Sequence, residues 1–175
     1  MLLEGIARRD TVVLIDTNVL MEAVRTGCWN AVTGGLNIET VEECRDEASR
    51  GDRGRPSYVP VDSEALARIR IVHPVSAVER VAFAMKYADA GNMDAGERDL
   101  FAHAYSRASQ GDEVWVVCSA DKACVRAAVA LGWHERMRSL GALAAAVGAH
   151  PRPALLDHYG ERWLSKHRTE YLLRS

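Results

Sequence analysis

"VVLIDTNVLMEAV", residues 12–24, decides how this chain is read. Four apolar residues, Val12 to Ile15, run straight into Asp16, followed by Thr17 and Asn18. The run is too short and too β-branched for a helix, so it reads as a fully buried strand. From Thr17 the pattern turns helical, and Gly27 closes it. A carboxylate that ends a buried strand costs several kcal/mol unless something is paired with it. Asp16 therefore demands a partner.

Working outward, "EVWVVC" (113–118) is a strand as apolar as the first, and "DKACVRAAVALG" (121–132) is the helix after it, ended by Gly132. In "NIETVEECRDEASRG" (37–51) a short strand enters an amphipathic helix at Thr40. Weaker strands read at "IRIVHP" (69–74), ended by Pro74, and at "ERMRS" (135–139). Helices read at "DSEALARI" (62–69), at "SAVERVAFAMKYADAG" (76–91) with a Ser76–Glu79 capping box, at "DAGERDLFAHAYSRASQG" (94–111) and at "LGALAAAVG" (140–148). Strands alternating with helices predict an α/β fold, a parallel sheet with helices on both faces. Residues 1–150 form that domain. After "HPRP", residues 151–175 are a C-terminal helical extension whose Leu156, Tyr159, Trp163, Leu164, Tyr171 and Leu172 dock on the domain or on a partner.

The formal net charge is −2, so no global positive field marks a nucleic-acid binder, and contact with phosphate must come from local cations or bound metal. Cys28, Cys44, Cys118 and Cys124 form no Cys-x-x-Cys pair and read as reduced thiols of a cytosolic protein. "MLLEGIARRD" places acid and base where a signal peptide needs an apolar stretch, and no run has the length of a membrane span. The expected location is cytoplasmic.

In open α/β sheets ligands bind beyond the carboxyl ends of the strands. Asp16 stands at that end of the first strand and Asp121 just past "VWVVC"; if these strands are neighbours, both carboxylates enter one crevice. Glu43 falls in the first turn after "NI", and Glu97 and Asp99 in the first turns after "AG". Ordinary capping competes for several of these: Thr40-x-x-Glu43 and Asp94-x-x-Glu97 both fit capping boxes, and Asp121 suits an N-cap. Glu42 and Glu47 read as a solvated face with Arg45 and Arg50. Several carboxylates in one crevice repel each other without a cation. An all-oxygen set points to a hard ion, Mg²⁺ or Mn²⁺, and so to phosphodiester chemistry.

The segments "LIDTNVLMEA" (14–23), "TVEEC" (40–44), "AGERDLFAHA" (95–104) and "VVCSADKACVRAA" (116–128) stand in the order of the acidic motifs of PIN-domain nucleases, a resemblance that spans residues 11–148. It implies a three-layer α/β/α PIN-like fold with a central parallel sheet and, here, an extra C-terminal helix. It implies a metal-dependent endoribonuclease that holds Mg²⁺ or Mn²⁺ through Asp16, Glu43, Glu97 or Asp99, and Asp121. Asn18 would fix the loop by hydrogen bonds, and Ser119 would support the site or hold a water. Ala120 stands where many relatives carry a further acid, which weakens a second metal position. Many small relatives are VapC-type toxins, so the resemblance also implies an RNA substrate, a small antitoxin partner and a homodimer.

Arg53 and Arg55 on the basic loop "GDRGRPSYVP" (51–60), and Arg98 beside the acids, are the candidate phosphate contacts. The alternative function is a non-catalytic, degenerate PIN-like module that regulates or binds RNA. A receiver domain would need an Asp on the middle strand, where "IRIVHP" has none. A haloacid-type phosphatase would need Asp-x-Asp, which Asp16-Thr17-Asn18 does not supply.

Overall fold

The computed structural model of the protein describes residues 10–50 and 61–174. Its strands are β1 (Val12–Ile15), β2 (Asn37–Val41), β3 (Ile71–His73), β4 (Trp115–Cys118) and β5 (Met137–Arg138). They form one five-stranded sheet in the order β3-β2-β1-β4-β5. Every pairing is parallel. The two most apolar strands lie side by side, with Val12 opposite Trp115 and Ile15 opposite Cys118. Central strands of a parallel sheet are covered on both faces, which is why they contain no polar alternation.

Side chains alternate across the sheet. Val12, Leu14, Trp115 and Val117 face one way; Val13, Ile15, Ile38, Val116 and Cys118 face the other. The helices follow as α1 (Thr17–Arg25), α2 (Trp29–Gly35), α3 (Glu42–Arg50), α4 (Ser63–Leu66), α5 (Ala77–Lys86), α6 (Ala95–Ser109), α7 (Lys122–Ala130), α8 (Leu140–Ala146) and α9 (Glu161–Leu172). The first face packs on α5, α6, α7 and α9 through residues such as Phe83, Leu100, Phe101, Val125 and Leu164. The second packs on α1, α2 and α8 through Leu20, Trp29, Val32, Leu140 and Leu143. The result is helices on both faces of a parallel sheet, as the alternation of elements predicts. α3 straddles the two faces: Cys44 belongs to the first core and Ala48 to the second.

Local signals act as expected at several points. Gly27 and Gly132 take left-handed φ values of 68° and 73° just beyond α1 and α7, the conformation in which glycine ends a helix without strain. Ser76 Oγ accepts the Glu79 N–H at 3.2 Å, and Glu79 Oε2 accepts the Ser76 N–H at 2.7 Å, completing the capping box of α5. The Thr40–Glu43 box does not form. β2 continues through Val41, so α3 starts at Glu42 rather than Thr40, and the Thr40 hydroxyl donates to the Ile15 carbonyl at 2.7 Å. The short α2, which ends in two glycines, carries no periodicity that marks it in advance.

The C-terminal segment is docked on the domain. α9 packs on α7, and Leu164 is fully buried with Trp115 and Cys124 in the first core. All four cysteines are free and buried, and burial pushes each thiol up from its ordinary value. Among the described residues no helix is long and apolar enough to cross a membrane.

Leu164→Ala should destabilise the protein by about 2–5 kcal/mol, the cost of truncating a packed core leucine. Leu173→Ala, at a side chain 84% exposed, should stay within about 0.5 kcal/mol. Urea midpoints of the two variants check this.

Candidate functional site

The strand order reverses between β1 and β4: β2 and β3 lie on one side of β1, and β4 and β5 on the other. That switch point leaves a crevice at the carboxyl ends of the strands. Asp16 and Asp121 border it, each followed by a helix it caps. Asp16 Oδ1 accepts the Val19 N–H at 2.8 Å, and Asp121 Oδ1 accepts the Ala123 N–H. Ser119 lies between them and accepts the Asp121 N–H at 3.2 Å.

Asp16 is 2% exposed, and its Oδ2 is buried with no hydrogen-bond partner. Burial pushes this carboxyl up to about 6. Asp121 and Glu47 raise it further, against the lowering pull of Ser119 and the Val19 N–H. The Ser119 hydroxyl thus lies near enough to favour the charge without completing a bond to Oδ2. Glu97, in the first turn of α6, is pushed up to about 8 by burial, then by Asp121, Asp16 and Asp94. Its Oε2 accepts the Asp94 N–H at 3.3 Å, so it serves the cap as well. Asp16, Asp121 and Glu97 therefore share one electrostatic environment, and like charges gathered out of water are its dominant feature.

The acid of α3 whose charge reaches Asp16 is not the one the sequence suggests. Glu47 interacts with Asp16; Glu43 is 36% exposed, with Arg50 at 3.9 Å and its field on Arg80. Glu47 Oε2 accepts the Thr17 hydroxyl at 2.6 Å and its Oε1 accepts the Gly96 N–H at 3.2 Å, which links α3 to α1 and α6. A Cβ at Gly96 would come within 2.7 Å of Glu47 Oε2 and 3.0 Å of Cys44 Sγ, so a side chain there would push the Glu47 carboxylate aside. The "AGE" triplet was the available signal, a residue without a side chain beside an acid. Glu47 itself looked like part of a charged helix surface.

Glu97 and Asp99, the two contenders for the third acid, lie in different surroundings. Residues two apart on a helix face nearly opposite ways. Glu97 turns to the crevice, whereas Asp99 takes both donors of Arg80, at 2.7 and 2.6 Å, and ties α6 to α5. Arg98 is half-buried beside Glu97, and among the described residues it forms no ion pair with Asp94. Asn18 is exposed in the first turn of α1 and borders a cavity beside Asp121; the hydrogen bonds expected of it are made by Thr17. Arg53 and Arg55 lie outside the described residues. His103 stacks on His73 with ring centroids 4.1 Å apart, in a separate buried cluster with Glu39, Glu79 and Arg107.

Each site carboxylate has thus taken a local N–H or O–H donor. Among the described residues no three His, Cys, Asp or Glu side chains stand in an arrangement that could hold a metal ion. Comparison with family models, curated proteins and solved structures returns no match.

Asp99→Asn should cost about 1–3 kcal/mol by breaking a charged, bidentate pair, while Glu97→Gln should leave stability unchanged or raise it; thermal unfolding of both variants decides. The pH dependence follows from the same groups. Glu97 and Asp16 hold protons more tightly in the folded state, so the stability they confer is lost as pH rises through about 6 and then about 8. His103, which burial lowers to about 4, has the opposite slope below its ordinary 6.5. In EDTA, stability should therefore fall between about pH 6.5 and 8, and Glu97→Gln should flatten that fall, as urea midpoints across the range will show.

Proposed function

We propose that the protein is a PIN-type, Mg²⁺- or Mn²⁺-dependent endoribonuclease with its reaction centre at Asp16, Glu47, Glu97 and Asp121. One observation carries this reading: the buried, unpartnered Oδ2 of Asp16 at the switch point, in the field of three further acids. Carboxylate oxygens are the donors that hard cations take. A cation there offsets the cost of burying these charges, the main cause that raises Asp16 and Glu97, and the like-charge repulsion that adds to it. By donor chemistry the residues fit such an ion. A hard divalent ion supplies a Lewis acid and an acidified water suited to attack on phosphorus.

The chain's own residues have separate tasks. Asp16 and Asp121 are fixed by the helices they cap and define the floor of the crevice. Thr17 and the Gly96 N–H orient Glu47. Ser119 lies beside Asp16 and holds the Asp121 backbone. RNA as substrate, the toxin role, an antitoxin partner and a homodimer rest on the motif resemblance. The alternative, a non-catalytic PIN-like module, is favoured by the absence of three converging ligands among the described residues.

Purified protein with a mixed tRNA and mRNA pool, in Mn²⁺, in Mg²⁺ and in EDTA, separates the two. Cutting should require the metal, vanish in Asp16→Asn and fall about 10- to 100-fold in Glu47→Gln, the range for residues that hold or orient a metal. Glu43→Gln should stay within about threefold, as expected of a side chain outside that set. Absence of cutting by folded wild-type protein, or cutting indifferent to EDTA and to Asp16→Asn, would sink the nuclease reading.

A further inference from the structure

A cavity of about 310 Å³ opens beside the carboxylates, at the lower end of the size range of ligand clefts. Three elements wall it: the outer face of α1, the loop after β4, and the segment between α8 and α9. Asp121 belongs both to this wall and to the acidic crevice, so anything bound in the cavity adjoins the proposed reaction centre.

The wall is pre-built. Glu22 is buried in α1 and receives Arg25 through Nε and Nη2, both at 2.7 Å, and the Leu156 N–H at 2.8 Å. Arg25 also donates to the Ala154 carbonyl at 3.0 Å. These bonds clamp residues 154–156 onto α1 and neutralise the Glu22 charge, leaving a fixed polar edge instead of a repelling anion. The His158 ring lies 4.2 Å from the Tyr159 ring and 6.4 Å, edge-on, from Trp163, so its orientation is set by packing. Met21 and Leu156 add apolar surface, and Leu156 is 48% exposed at the wall.

A planar ring, apolar flanks and a fixed hydrogen-bonding edge are what a nucleobase needs: stacking accepts any base, and the polar edge discriminates among them. A paired base inside an A-form helix cannot enter such a cavity. We propose that this cavity binds one unpaired nucleobase of the strand whose phosphodiester lies at Asp16 and Asp121, so that the substrate is single-stranded at that nucleotide. The proposal rests on the nuclease reading for the role of the base, and on the cavity alone for its binding.

The test uses the full chain carrying Asp16→Asn, in EDTA, titrated separately with the four nucleoside 5′-monophosphates and with ribose 5-phosphate. Affinity is read by calorimetry and position by amide shifts. At least one nucleotide should bind about fivefold or more tightly than ribose 5-phosphate, the lower bound for a stacked base, with shifts at Leu156–Tyr159. His158→Ala should bring that preference within about twofold, and His158→Phe, which restores a ring, should keep it. Equal affinity for ribose 5-phosphate and every nucleotide, a preference that survives His158→Ala, or shifts confined to other surfaces would overturn the proposal. Base preference in a protein that cuts no RNA would support the cavity and overturn the nuclease reading. Metal-dependent cutting without base preference would do the reverse.

Discussion

Asp16 is the constraint around which the molecule is arranged. It ends the strand with neighbours on both sides, so its charge lies where water does not reach. One oxygen is satisfied by the helix it starts; the other has no partner. What surrounds it is correspondingly selected. The neighbouring strand is followed by Ser119, Ala120 and Asp121, and α6 approaches with Gly96 where a Cβ would press on Glu47 and Cys44. Three of the four acids occur at or just inside helix N-termini, where the positive ends of the backbone dipoles favour negative charge. The arrangement partly compensates a concentration of charge that solvent cannot.

α6 ties that arrangement to the rest of the fold. Successive turns of this one helix face different partners. Glu97 turns to the crevice, Asp99 to Arg80 on α5, His103 to the ring of His73 on β3, and Arg107 to Glu39 on β2 and to Asp112. A helix with polar groups committed on several sides shows a weak amphipathic pattern. Its buried residues include Leu100, Phe101 and Ala104 alongside Glu97 and Asp99.

This explains what the sequence could and could not reveal. β1 and β4 were legible because only central parallel strands tolerate such unbroken apolar runs, and their adjacency placed Asp16 beside Asp121. Helix ends at Gly27 and Gly132 and the cap at Ser76 were legible because each is written in a few consecutive residues. The acid of α3 that neighbours Asp16 was not. It depends on where β2 stops, and β2 runs to Val41, with the Thr40 hydroxyl donating to the Ile15 carbonyl across the sheet. α3 therefore starts past Thr40, and Glu47 rather than Glu43 comes beside Asp16. The pairing of Asp99 with Arg80 was hidden in the same way, since that partner stands nineteen positions earlier. His158 and Tyr159 looked like part of a tail, because no local pattern shows the bonds from Ala154 and Leu156 to α1.

The parallel pairing of Val12 with Trp115 also sets an order of assembly. During synthesis β1 can zip to β2 early, but its other edge stays open until β4 has left the ribosome. Such distant pairings are slow because a long loop must close first. An apolar strand with an open edge is meanwhile a site for mispairing with other chains. The cover of the first face, begun by α5, α6 and α7, is complete only when α9 delivers Leu164. The carboxylates are therefore brought together late, after most of the polypeptide exists, and a nascent chain carrying only the first acidic motif has the charge of the site without its enclosure.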